Sequence, residues 1–173
     1  MKSLTKYTLI SLLFGMLLAS EFSLGVHESL GFMPGTIARN HNIEKWSSDY
    51  NKVYFSTGTF LIPIVFSGGA SITYKRYVKI NKRMSPFMSF GLSQAYINGW
   101  CQTEGCRNKS SSYTFISSTL GWELYAFDFI NRKFKLQFGV QSKYNLTEGA
   151  FIESASDKPW IHPLVNLKIS KLS

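Results

Sequence analysis

The sequence predicts an all-β fold: an antiparallel up-and-down transmembrane β-barrel of eight strands following an N-terminal signal peptide. Three observations carry that expectation: long runs of alternating apolar and polar residues, connections that alternate between short and long, and an apolar leader. The clearest alternation lies in residues 111 to 146, read as two long strands joined by the turn INRK. In the second of these strands Phe134, Leu136, Phe138 and Val140 share one face, while Lys133, Lys135, Gln137, Gln141 and Lys143 share the other. A period of two marks a strand with one apolar and one wet face. It fits either a sheet covering a soluble core or a barrel wall with lipid outside and a polar lumen.

Composition narrows the classes. Aromatic residues make up 16% of the 173 residues and charged residues only 17%. That aromatic content excludes a disordered chain, and the abundance of Phe, Tyr, Ser and Gly suits strands and turns. The net charge is +9. Its Lys and Arg residues are scattered over turns and alternating strand positions with no recognition helix, so no nucleic-acid partner is expected. Anionic outer-membrane lipid or lipopolysaccharide is the expected partner instead.

Residues 1 to 25 hold Lys2 and Lys6, an apolar run from Tyr7 to Leu18, and the small residues Ala19-Ser20 and Ser23-Leu24-Gly25. This is the layout of a secretory signal with cleavage after Ser20 or Gly25, on a run too short to span a bilayer comfortably as a helix. Residues 26 to 50 permit two readings. Pro34-Gly35 allows a weak hairpin, and the spacing of Ile43, Trp46 and Tyr50 allows a short amphipathic helix. The barrel proper is expected over 51 to 173. It starts with KVYFSTGTFLIPIVF, followed by a Gly68-Gly69 turn and a strand whose wet face carries Ser71, Thr73, Lys75, Tyr77 and Lys79.

The next strand sets Met88, Phe90, Leu92 and Tyr96 against Ser89, Gly91, Ser93 and Ala95, small inner residues that suit a narrow barrel. The strand before INRK sets Ile116, Leu120, Trp122 and Leu124 against Ser117, Thr119, Gly121, Glu123 and Tyr125. The last strand runs from Trp160 to Ser170, with His162, Asn166 and Lys168 on its wet side. Six strands are therefore visible from residue 52, and a hairpin drawn from residues 26 to 48 brings the count to eight, the smallest usual single-chain barrel.

Link lengths favour the membrane reading. The links INKR and INRK are tight, whereas those over 98 to 110 and 147 to 158 are long and polar, as when one end of a meander faces the periplasm and the other the exterior. The stretch NKVYFSTGTFLIPIVFSGGASITYKRYVKINKRMSPFMSFGLS resembles the hairpins of small bacterial outer-membrane β-barrel proteins, the class of the OmpA and OmpX barrels, over about residues 50 to 170. The resemblance is broad, implies an outer-membrane location and brings no catalytic residues with it. Barrels of this class usually end on an aromatic residue, whereas this chain ends Lys171-Leu172-Ser173.

The lipid-facing set is then Phe90, Leu92, Trp122, Leu124, Phe134, Leu136, Phe138 and Val140. Glu123 faces inward beside Lys75, Lys79, Lys133, Lys135 and Lys143, so a lumenal ion network is expected there. Cys101 and Cys106, in CQTEGC, are expected to close a small disulfide loop in an oxidising compartment. Two thiols without further ligands do not make a metal cage, and neither metal nor cofactor is expected. The leading function is a monomeric, non-enzymatic envelope barrel whose loops 98 to 110 and 147 to 158 recognise a surface ligand. Two alternatives stand beside it: a lipid A-modifying enzyme using His162 with Ser93 or Ser117, and a soluble lipocalin-like barrel in which Trp122, Phe134 and Phe138 line an apolar cavity and the lysines meet water.

Overall fold

The computed structural model describes residues 21–30, 36–62, 65–98, 110–147 and 160–171. Its strands are β1 (Glu21–Gly25), β2 (Thr36–Asn42), β3 (Asn51–Ile62), β4 (Val65–Tyr77), β5 (Met84–Asn98), β6 (Ser110–Phe129), β7 (Arg132–Asn145) and β8 (Trp160–Lys171). Each pairs antiparallel with the next in sequence, and β1 pairs with β8, so the sheet closes as an eight-stranded up-and-down barrel. Closure leaves no open sheet edge, although the short β1 covers only Asn166 to Ser170 of β8. Among the described residues no helix is long and apolar enough to cross a membrane.

The first hairpin sits earlier than the sequence reading placed it. It uses residues 21 to 42, so the barrel wall begins at Glu21, inside the stretch read as leader, and the only helical turn near residue 45 is the short 3-10 turn Glu44–Trp46. The Gly68-Gly69 turn is also corrected. Both glycines lie within β4, opposite Thr59 and Gly58 of β3, and the β3–β4 link is residues 63 and 64.

The β6–β7 link matches the tight turn expected at INRK. Phe129 pairs with Arg132 across two residues, Ile130 and Asn131, with φ of 47° and 56°. Two positive φ values make the hairpin turn whose twist matches the strands, a conformation that Asn accepts easily and Ile does not. The β2–β3, β4–β5 and β6–β7 links gather at this short-turn end. Residues 26 to 35, 63 to 64, 99 to 109 and 146 to 159 connect strands at the other end. Cys101 and Cys106, expected to form a disulfide, and nearly all of loops 98 to 110 and 147 to 158 lie outside the described residues.

Facing follows the alternation. Phe90, Leu92, Trp122 and Val140 stand exposed on the outer wall, with Leu124, Phe134, Leu136 and Phe138 partly exposed on the same side. Trp122 and Phe138 are register partners, and their rings stack with centroids 5.8 Å apart. The outer band continues through Phe55, Ile72, Tyr74, Ile116, Leu120, Tyr144, Ile161 and Val165, all exposed. Among the described strand residues, the cationic positions on the outward parity are Arg39, Arg76, Arg132 and Lys171, the last three close to strand ends at the short-turn side.

Candidate functional site

The lumen is where chemistry is concentrated, and two different materials fill it. At Gly25 the chain leaves the wall. Its φ is +131°, a conformation L side chains rarely adopt, and a Cβ there would collide with the Val165 carbonyl oxygen. The Val26 amide donates to that carbonyl at 2.8 Å, and residues Val26 to Leu30 then turn into the barrel, all buried.

Backbone inside a barrel must find partners, because each buried peptide group left unpaired is costly. The wall supplies them. The Glu28 carbonyl accepts from Thr119 Oγ1 at 3.3 Å and from Gln141 Nε2, and the Ser29 carbonyl accepts from Lys143 Nζ at 3.0 Å. Ser29 Oγ accepts from Thr73 Oγ1 at 2.8 Å and lies 2.7 Å from Ser71 Oγ. The segment fits because the wall beside it is small: a Cβ on Gly91 would sit 2.7 Å from Ser29 Cβ and 2.8 Å from Ser117 Oγ.

His27 staples this segment. Its Nδ1 accepts from the amides of Ser29 and Leu30, both at 3.1 Å, which leaves Nε2 as the donor to Asn40 Oδ1 at 3.0 Å. The tautomer is assigned from these partners. Asn40 in turn donates to Ser23 Oγ at 2.7 Å and to Glu21 Oε1 at 3.0 Å. His27 lies on the β1–β2 connection, where burial pushes it down to about 4. Burial works to raise the neighbouring Glu28 carboxyl, but Lys168 and Lys75 overcome it and hold that group below its usual value.

Toward the short-turn end the lumen is filled by long charged side chains. Glu123 on β6 accepts from Lys75 Nζ at 2.9 Å, Lys135 Nζ at 2.7 Å, Gln137 Nε2 at 3.0 Å and the Tyr77 hydroxyl at 3.1 Å. Lys75 reaches on to Glu28 at 3.5 Å, and Lys168 joins Glu28 at 3.1 Å to Glu21 at 2.7 Å. Lys75 is only 1% exposed, and its ammonium also lies 3.7 Å from the centroid of the Phe87 ring. Burying charges this deeply is tolerable when they are paired and hydrogen-bonded; every member of the relay Lys135, Glu123, Lys75, Glu28, Lys168, Glu21 has an ionic partner, and its one buried oxygen without a hydrogen bond is Glu28 Oε2, which faces Lys75.

The expected cation set is corrected in three places. Lys79 lies past the end of β4 and is exposed, so it takes no part in the network. Lys143 is buried but serves the Ser29 carbonyl rather than a carboxylate. Lys133 faces inward nearer the mouth, opposite Asp128, and is not among the Glu123 partners. Lys168, Glu28, Glu21 and Tyr77 complete the network without having been picked out for it. Alternation along β8 already put Lys168 inside, whereas nothing periodic marks Glu28, which enters only because the chain turns at Gly25.

Together these features define a closed eight-stranded barrel with an apolar exterior and a filled, ion-paired interior. No protein-family model, curated protein or solved structure matches the chain. Among the described residues, no group of three His, Cys, Asp or Glu side chains could hold a metal ion.

Proposed function

We propose that this chain is a small bacterial outer-membrane β-barrel protein, non-enzymatic, that stabilises the envelope or presents loops 98 to 110 and 147 to 158 for surface recognition. The observation that carries the reading is the inverted distribution of polarity. Trp122, Phe90, Leu92 and Val140 stand outside, while Lys75, Glu123, Glu28 and Lys168 are buried inside. A soluble barrel places these classes the other way round, and a contiguous apolar exterior of this size in water marks a membrane or partner surface. Strands of 12 to 20 residues from β3 to β8 exceed the ~9–11 residues a tilted membrane strand needs. The filled lumen supports a structural or recognition role over a diffusion pore, as expected for a barrel of this strand number.

Within this reading the leader is cut after Ser20, because a cut after Gly25 would delete β1. The lipocalin-like alternative needs an apolar cavity lined by Trp122, Phe134 and Phe138, but these face outward, and buried Ser, Thr, Gln, Lys and Glu outnumber the apolar residues inside. For the lipid A-modifying alternative, His162 donates through Nδ1 to the Pro163 carbonyl at 3.2 Å, while Ser117 Oγ donates to the Gly91 carbonyl at 3.3 Å. Neither geometry assembles a nucleophile and base.

Fractionation tests the reading. The protein is expected in the outer-membrane fraction, extractable by detergent and migrating differently on electrophoresis before and after boiling. Recovery from periplasm or medium without detergent would end the membrane reading. Unchanged lipid A acylation by mass spectrometry, with and without the protein, is expected as well, and a changed profile would promote the enzyme.

A further inference from the structure

The short-turn mouth of the lumen carries more positive charge than the ion network consumes. Two cavities open there, of about 280 Å³ and about 350 Å³, and Lys52, Tyr77 and Lys135 line both. The first also holds Lys82 from the β4–β5 link and Lys133 from the start of β7, with Asp49 on its rim and Glu123 on its floor. Glu123 is already occupied by Lys75 and Lys135, so it does not neutralise the others. Among the described residues Lys52, Lys82 and Lys133 are in no ion pair.

Ammonium groups gathered around a small concave space repel one another, and low-dielectric walls strengthen that repulsion relative to bulk water. An anion placed among them relieves it. The cavity lies at the lower limit of usual ligand pockets, which selects a compact ligand, and in its lining three lysines outside any ion pair stand against one carboxylate outside the ion network, Asp49, an excess of positive charge that favours a dianion over a carboxylate. The Tyr77 ring and Ile80 add an apolar wall on which the carbon skeleton of an ester could rest. The floor is closed by the Glu123–Lys75 pair, so the site is a dead-ended receptor and not a conduit.

We infer that the short-turn mouth is a binding site for a phosphate dianion, either free or as a compact monoester such as a sugar phosphate. This goes beyond the proposed function, which puts recognition in the loops at the opposite end. It also stands apart from location, because the site is part of the folded barrel wherever the barrel resides.

The test is calorimetric titration of the full chain, folded in an uncharged detergent, with inorganic phosphate and separately with glucose 6-phosphate. Saturable binding of at least one probe is expected, and the tighter probe tells whether free phosphate or the ester is the better match. The double variant Lys52→Gln/Lys133→Gln is expected to weaken it by about tenfold or more. The double variant Lys45→Gln/Arg76→Gln removes the same charge from exposed positions outside both cavities and is expected to bind like the parent. Heat-modifiable migration checks that each variant is folded. Absence of saturable binding for both probes, or equal loss in the two double variants, would overturn the inference.

Discussion

The two halves of the lumen solve one problem by different means. Near the short-turn end the interior is filled by side chains long enough to meet in the middle, and their charges are cancelled in a relay from Lys135 to Glu21. Toward the long-connection end β4, β5 and β6 turn Ser71, Thr73, Gly91, Ser93, Ser117 and Thr119 inward, all too short to meet, and the chain fills the gap beside them with its own segment Val26–Leu30. One half therefore depends on charge balance, the other on shape and on satisfying inserted peptide groups. The small inner residues that sequence reading took as a sign of a narrow barrel make room for a second layer of backbone.

This contrast can be broken at either half, and the effects should differ in size and character. The largest is expected from Glu123→Ala, which strips Lys75 and Lys135 of their nearest carboxylate and leaves a buried ammonium inadequately paired. A loss of about 3–5 kcal/mol in reversible unfolding from micelles is expected. A loss under about 1 kcal/mol would place that pair in the class of solvated surface bridges.

Next is pH, acting on the inserted segment. His27 is held neutral in the fold at about 4, against an ordinary value of 6.5. Below the ordinary value the unfolded chain takes up a proton that the folded chain refuses, so stability present above about pH 6.5 is lost as pH falls toward 4. The loss reaches about 3 kcal/mol at most. Comparing the unfolding profile of the parent with that of His27→Gln between these limits isolates it; parallel profiles would show that His27 is not the group responsible. Glu28, held below its usual value of 4.5, adds a loss that begins as pH falls past that value.

A smaller effect tests shape alone. Gly91→Ala places a methyl against Ser29 and Ser117 and is expected to cost about 1–3 kcal/mol by overpacking. In a Ser29→Gly background, which lacks both the contacting Cβ and the hydroxyl bonded to Thr73 and Ser71, the same Gly91→Ala change should cost less than in the parent. An equal cost in the two backgrounds would mean that Ser29 is not what the methyl meets. The smallest effect belongs to Lys79→Gln, an exposed position beyond β4, where a change within about 0.5 kcal/mol is expected.

Alternation made the wall legible and left the filling obscure. The β6–β7 hairpin, the outward set from Phe90 to Val140, and the pairing of Glu123 with Lys75 and Lys135 all follow from a period of two, because a closed barrel forces successive side chains to opposite faces. Lys79 was misplaced because the same period was carried past the point where β4 ends. Gly68-Gly69 reads as a turn because glycine pairs usually are one, yet both lie within β4, paired with Thr59 and Gly58 of β3. The hardest part was VHESL, residues 26 to 30. Its buried state comes from one backbone torsion at Gly25 and from hydrogen bonds to residues more than a hundred positions away, such as Gln141 and Lys143, and no local pattern records either.

The central claim, that the apolar outer wall meets lipid while charge is kept inside, is tested most directly at Trp122. A variant retaining Trp122 as its sole tryptophan, reconstituted in bilayers, should have its fluorescence quenched by lipids brominated on their acyl chains and be insensitive to iodide in the water. Quenching by iodide with no response to brominated chains would contradict the account, because it would put the outer wall in water.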